Sequence, residues 1–212
     1  IPVIPKGKAK SYALLGCYSN FTFLKGASHP DEMVATAAAL GWSTIGIADV
    51  NPLAGIVRAH VAARDHHIRL LVGARLRPVD GPDVLVHPCD REGYEGLSML
   101  LSEANMRGSK ATPVLYLADL ARLPESTALL AMPPRHPDAC YQAHLDKILQ
   151  IAKGQIFAGI CLYRDGADAA RCKMLDAFAT ALGLFVAIPA VVAYNKLTSD
   201  LSKYFTSLET FI

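Results

Sequence analysis

The stretch STIGIADVNPLAGIVRAH, residues 43–60, decides the architecture. Ser43 to Ala48 is a short β-rich run that ends at Asp49. Pro52 then opens a helical pattern, with Leu53, Ile56, Val57, His60 and Val61 on its inner stripe. A buried strand followed at once by an amphipathic helix is the building unit of an α/β fold. The alternation continues outward in both directions. Tyr12 to Cys17 is an apolar run that suits a buried strand. Ser28-His29-Pro30-Asp31-Glu32 is a helix start: Ser28 or His29 can cap, Pro30 fits the first turn, and two acids suit the positive helix end. Met33, Ala37 and Leu40 share one face of that helix, and Gly41 closes it.

Towards the C-terminus, strands are expected at 68–76, 84–87, 127–132, 156–163 and 184–192. Helices are expected from Tyr94 to near Gly108, then at 117–123, 138–153 and 167–182, with 200–211 also helical in pattern. Six or seven such units predict a parallel α/β architecture. A barrel and an open doubly wound sheet both fit, and periodicity does not choose between them. In either, chemistry belongs at the carboxyl ends of strands. Those ends are Cys17–Asn20, Asp49–Asn51, Gly73–Arg75, His87–Asp90, Tyr163–Asp165 and Pro189–Asn195.

The chain has 212 residues, enough for one large domain or two small ones. Apolar residues make up 52% and charged residues 19%, which excludes a disordered or highly charged tail protein. Lys+Arg minus Asp+Glu is 21 − 19 = +2, so the chain is no general basic clamp for nucleic acid. The five cysteines are odd in number and lack a CxxC pair. They read as free thiols of a reducing cytoplasm and argue against a structural zinc site. The longest apolar run, Leu182 to Ala193, is broken by Gly183 and Pro189 and reads as a buried strand and its exit, not a membrane span. The N-terminus has no signal-peptide pattern and no initiator Met, which predicts a chain trimmed from a longer one.

The strand ends carry few chemical signals. Asp49 and Asn51 are of the right type to ligate a metal or orient a substrate. The favoured reading is plainer: Asp49 caps the helix that opens at Pro52. His60 reads as a core or boundary residue, and His66-His67 as a solvated helix end. His87 is the one histidine at an expected strand end. Cys17 and Ser19 also sit at a strand end, with no sequence feature naming an activating base. GxSxG, GxGxxG and GxxxxGK[ST] are absent. Arg69, Arg75 and Arg77 could contact phosphate, but an ordinary charged rim explains them.

YALLGCYSNFTFLKGASHP at 12–30, IGIADVNPLAGIVRAH at 45–60, LVGAR at 71–75 and DREGY at 90–94 together resemble the PHP (polymerase and histidinol phosphatase) domain. More narrowly, they resemble the N-terminal PHP domain of bacterial C-family DNA polymerases, closest to the error-prone branch. The resemblance implies a distorted (β/α)7-type barrel. It divides the chain into an extended N-terminal arm at 1–11, the PHP domain at 12–195, and a C-terminal helix or linker start at 196–212.

Active PHP domains hold a cluster of divalent metals between His, Asp and Glu. Here the first HxH motif falls on Gly16 and Tyr18. Val50 follows Asp49 where the family often has His. The Glu after the third strand falls on Arg75. The last motif falls on Ala190, Val192 and Tyr194. Only Asp49 survives, and one carboxylate beside an Arg cannot hold a metal cluster. The resemblance therefore implies a degenerate metal site, with no catalytic residue, no metal and no cofactor of its own. Its implied role is structural, in replication or damage-tolerant synthesis. Its partner would be a polymerase body in the same or a companion chain, with DNA reached through that nucleotidyltransferase and no membrane involved. The alternative is a working metal-dependent PHP phosphoesterase or proofreading 3'-5' exonuclease.

Overall fold

The computed structural model describes residues 10–109, 112–161, 163 and 166–187. These residues fall into two compact units, 10–74 and 75–187. Both are mixed α/β.

The first unit holds β1 (Lys10–Cys17), α1 (Pro30–Ala39), β2 (Trp42–Val50), α2 (Ile56–Asp65) and most of β3 (Arg69–Leu76). β1 runs parallel to β2, with Ala13 opposite Thr44, Leu14 opposite Ile45 and Cys17 opposite Ile47. β2 lies between β1 and β3 in the strand order. Ile45 to Asp49 are buried without a break, the pattern of a strand covered on both faces. The core joins Val34 and Ala37 of α1, Ile45 and Ile47 of β2, and Ile56, Ala59 and Ala63 of α2. Trp42 and Leu53 pack, half-buried, at its margin.

α1 starts as its sequence expects. Pro30 is its first residue, and the Glu32 carboxylate accepts the His29 backbone N–H at 2.9 Å. α2 departs from expectation. Pro52 opens a turn, Asn51 sits in the left-handed region at φ 64°, and the helix begins only at Ile56. Its buried face is Ile56, Ala59 and Ala63, while Val57, His60 and Val61 are exposed. Ala37 of α1 and Ala59 and Ala63 of α2 are small buried side chains beside Val34 and Ile56, and they let the two helices approach closely.

The second unit holds β4 (Val84–Pro88), α3 (Arg91–Arg107), a 3-10 turn (Leu117–Arg122), β5 (Thr127–Ala131), α4 (Ala139–Ile151), β6 (Gln155–Gly159), α5 (Asp168–Ala181) and β7 (Phe185–Ala187). Strand order here follows chain order. β5–β6 and β6–β7 are parallel. β4 and β5 are antiparallel, from Val84 opposite Ala131 to Pro88 opposite Thr127. That corrects the expectation of a wholly parallel sheet. Residues 77–83, between β3 and β4, are too few for a crossover helix, which needs about a dozen residues. Asp90 and Asp138 cap α3 and α4, accepting the N–H groups of Gly93 at 2.8 Å and Tyr141 at 2.9 Å. The DREGY motif is thus a cap followed by a close contact: a Cβ on Gly93 would lie 2.5 Å from the Ser126 carbonyl oxygen.

β1 starts at Lys10, two residues before the expected Tyr12. Residues 1–9 of the arm expected at 1–11, the end of the expected strand at 184–192 and the helix expected at 200–211 lie outside the described residues, and Lys10 and Ser11 of that arm belong to β1.

Gly46 marks where β2 meets β1 most closely. A Cβ there would sit 2.8 Å from the carbonyl oxygens of Leu14 and Leu15. Backbone atoms of a paired strand have no room to move aside. Gly46→Ala is expected to destabilise the chain by about 2 kcal/mol or more in urea unfolding. A change within about 0.5 kcal/mol would refute this close approach.

Candidate functional site

β2 delivers Asp49 to a position only 2% exposed. Its Oδ1 accepts the Ser19 backbone N–H at 2.7 Å and the Thr22 hydroxyl at 2.6 Å. Its Oδ2 accepts the Ser19 hydroxyl at 2.6 Å. Ser19 and Thr22 are themselves buried. Their oxygens pass the network on: Ser19 Oγ accepts Phe21 N–H at 3.2 Å, and Thr22 Oγ1 accepts Val50 N–H at 3.1 Å. Burying a carboxylate costs several kcal/mol unless its oxygens are bonded, and these short bonds offset that cost.

Asp49 therefore does not cap α2, contrary to the favoured sequence reading. The residue before that helix is Gly55, with no side-chain cap. Instead Asp49 ties the loop after β1 to the end of β2. Sequence reasoning noticed Ser19 as a nucleophile without a base and missed Thr22. The signal was present in Ser19-Asn20-Phe21-Thr22: two hydroxyls three residues apart, just past a strand end.

Of the other cleft positions in this unit, Gly16 lies inside β1 and Tyr18 just past it, with the Lys25 ammonium 5.8 Å from its ring centroid. Val50 ends β2. Burial pushes the Cys17 thiol up to about 11, so it stays protonated and unreactive near neutral pH. Ala190, Val192 and Tyr194 lie outside the described residues.

In the second unit Arg75, the last residue but one of β3, is partly buried and donates Nε–H to Asp83 at 2.8 Å. Arg77 donates to the same carboxylate at 3.2 Å. The Asp83 carbonyl accepts Met132 N–H at 2.8 Å, which places this group beside the end of β5. Cys161 and Tyr163 follow β6. The guanidinium carbons of Arg171 and Arg135 lie 4.8 Å and 5.5 Å from the Tyr163 ring centroid. Arg171, 5% exposed, pairs with Asp168 and donates Nε–H to the Arg135 carbonyl at 2.9 Å. Asp168 also accepts the Tyr163 N–H at 2.9 Å. Burial raises the Cys161 thiol, against the opposing pull of Arg75 and Arg171. Burial raises the Tyr163 phenol as well. Arg75 is thus part of a built cluster and not of a charged rim.

His87 is buried inside β4, opposite Ala128. Because β4 is antiparallel to β5, the Pro88–Asp90 end lies away from Ala131 and the arginine cluster. Those strand ends do not converge. Among the described residues, no group of three or more His, Cys, Asp or Glu side chains is placed to hold a metal ion.

A model of the PHP domain matches residues 15–184, and the chain belongs to that family. Within it, the chain is similar to error-prone DNA polymerases. It is 41% identical over 180 residues to that of Rhodopseudomonas palustris (strain BisB5), a match covering 82% of this chain and 16% of the relative. It is 36% identical over 185 residues to that of Caulobacter vibrioides, covering 87% of this chain and 17% of the relative. The chain therefore spans about a sixth of the length of the curated relatives it matches. These matches bear out the resemblance read from residues 12–94.

Among solved structures, a Bifidobacterium adolescentis protein described as a metal-dependent phosphoesterase shares the fold. Its TM-score is 0.65 at 15% identity, over 91% of this chain and 96% of that one. A Chromobacterium violaceum amidohydrolase with bound sulfate and no metal gives 0.62 at 14%, over 84% and 86%. A second family model, of the MotA/TolQ/ExbB proton channel family, matches residues 173–210, a short stretch that starts inside α5. Leu175 and Ala179 of that stretch are buried. No helix among the described residues is long and apolar enough to cross a membrane.

Replacing Asp49 by Ala would leave two buried hydroxyls and a buried N–H without their acceptor. The expected loss of stability is about 2–4 kcal/mol, read by urea unfolding. Ser19→Ala, which removes one bond and keeps the carboxylate, is expected to cost less. Wild-type stability in Asp49→Ala would show that the network holds nothing in place.

Proposed function

We propose that the chain is the PHP domain of an error-prone C-family DNA polymerase, with a degenerate metal site and a structural rather than catalytic role. The observation that carries this reading is the state of Asp49. It is the one ligand-type residue left at the family's metal positions, and its two oxygens accept three hydrogen bonds from Ser19 and Thr22. The residues at the other positions do not fit a metal cluster. Gly16 has no side chain, Tyr18 and Val50 offer no imidazole or carboxylate, and Arg75 brings a cation bonded to Asp83. Divalent metals need several anionic or imidazole donors at once, so no reaction step runs through a metal here.

The rest of the proposal follows the relatives. The domain, 12–195 together with Lys10 and Ser11 of β1, closes as a distorted (β/α)7-type barrel, flanked by the rest of the arm and a linker or helix at 196–212. It packs against a polymerase body, which carries the nucleotidyl transfer and the contact with DNA. The similarity to error-prone DNA polymerases supports that partner. A working phosphoesterase or exonuclease is the second reading, favoured by the fold shared with the protein described as a metal-dependent phosphoesterase.

Turnover of a generic phosphoester and of single-stranded DNA, with Mn²⁺, Zn²⁺ or Mg²⁺ added, separates the two. Metal-assisted hydrolysis needs a held cation to generate hydroxide and neutralise phosphoryl oxygens. The expected result is no turnover above the protein-free rate, and no stoichiometric metal after purification. Activity that survives purification and is abolished by a chelator would establish the second reading.

A further inference from the structure

We propose that the tip of the loop between β1 and α1, Phe23 and Leu24, is where this domain docks, seated in an apolar pocket of the polymerase body. The inference rests on the reading of the chain as a polymerase's PHP domain and names the contact surface. Phe23 and Leu24 are 84% and 90% exposed. Among the described residues of the first unit, the exposed large apolar side chains are Phe21, Phe23, Leu24, Val57 and Val61. All five fall on this loop or on α2. The two elements adjoin, since a Cβ on Gly55, the residue before α2, would lie 3.1 Å from the Phe21 ring. Single exposed apolar residues are ordinary, but a group of them on neighbouring elements marks an interaction surface.

The loop holds its tip in one conformation. Thr22 N–H reaches the Ser19 carbonyl at 2.9 Å, and the N–H groups of Lys25 and Gly26 reach the Thr22 carbonyl at 3.1 Å and 3.0 Å. A Cβ on Gly26 would collide with the Ser19 carbonyl oxygen, so the loop closes as tightly as a glycine permits. Between these bonds Leu24 adopts the left-handed backbone, φ 63°, which a branched side chain disfavours. An apolar side chain is thus held outward against the preference of both solvent and backbone. Such strain persists where the surrounding bonds impose it, and it concentrates at contacts and clamps. A tip already fixed in place loses little freedom when it docks.

The size of the tip selects its occupant. Two separate chains in a stable complex bury about 800 Å² on each partner. One aromatic side chain supplies only about 150–250 Å². Phe23 and Leu24 fall short of what a second copy or a free partner needs. A partner in the same polypeptide needs less, because tethering raises its effective concentration. The relatives carry such a partner: the region matching this chain makes up 16% and 17% of their length, and the rest of each polymerase lies outside it.

Hydrogen exchange read by mass spectrometry tests this, on the whole chain alone and on a chimera in which it replaces the matching residues of the Rhodopseudomonas palustris polymerase. DNA synthesis by the chimera checks that its body is folded. Should the chimera not fold, the relative's body is supplied to the chain as a separate polypeptide and the same readout applies. The expected result is exchange at residues 20–26 slowed about tenfold by the body, and restored by the double substitution Phe23→Ser with Leu24→Ser. Both side chains are exposed, so the doubly substituted chain is expected to keep its urea-unfolding midpoint. Slowing elsewhere in the chain but not at 20–26 overturns the inference and leaves packing against the body standing. Slowing nowhere overturns that reading as well. A dimer of the isolated chain in sedimentation, dissociated by the double substitution, would assign the tip to a second copy and overturn the inference too.

Discussion

A carboxylate buried in a strand end must find partners or destabilise the fold, and in this chain Asp49 finds them all on one loop. The bonds to Ser19 and Thr22 close that loop at its root. Asn20 N–H then reaches the Ser28 carbonyl at 2.9 Å, and Gly26 N–H the Thr22 carbonyl at 3.0 Å. The chain leaves the loop at His29, where Glu32 and Pro30 turn it into α1. The start of α1 thus lies at the end of a loop that one almost wholly buried carboxyl group holds closed. At the root of the loop the backbone is fixed, while Phe23 and Leu24 at its tip are 84% and 90% exposed.

The second unit is organised by the opposite sign. Where the family resemblance implies an acid, Arg75 is present, and the surroundings have been rebuilt to suit it. Asp83 accepts from Arg75 and Arg77 together, and Asp168 holds Arg171 against the face of Tyr163. A change of one charge would leave an uncompensated ion, which is expensive in a half-buried setting. Here the compensation is spread over β3, the start of β4 and α5, so Arg75 is part of the architecture and no isolated substitution.

Much of this was legible in the sequence, because helix starts and buried strands announce themselves through local chemistry. Pro30 with Glu32 placed the start of α1, while α3, expected from Tyr94, begins three residues earlier at Arg91 under the Asp90 cap. Where tertiary packing decides, local pattern failed. The apolar stripe of α2 was read through Val57 and Val61, yet the helix buries its alanines, since close contact with α1 rewards small side chains over large ones. The direction of β4 was invisible to periodicity, which reports faces and not polarity. Asp49 was misread for a related reason. Its type suits a cap, but its partners lie 27 and 30 residues back in the chain, beyond any local signal. The arginine cluster was missed because its members, from 75 to 171, are gathered only by the fold.

The chain has a single tryptophan, Trp42, at the start of β2. It packs, half-buried, on the first unit's core, while Tyr141 and Tyr163 belong to the second. Indole emission therefore reports on the first unit, whereas phenol absorbance mixes the two, because Tyr12 and Tyr18 lie in the first unit and Tyr94, Tyr116, Tyr141 and Tyr163 in the second. The molecule carries its own optical label for the first unit, so melting of that half can be watched without attaching a dye.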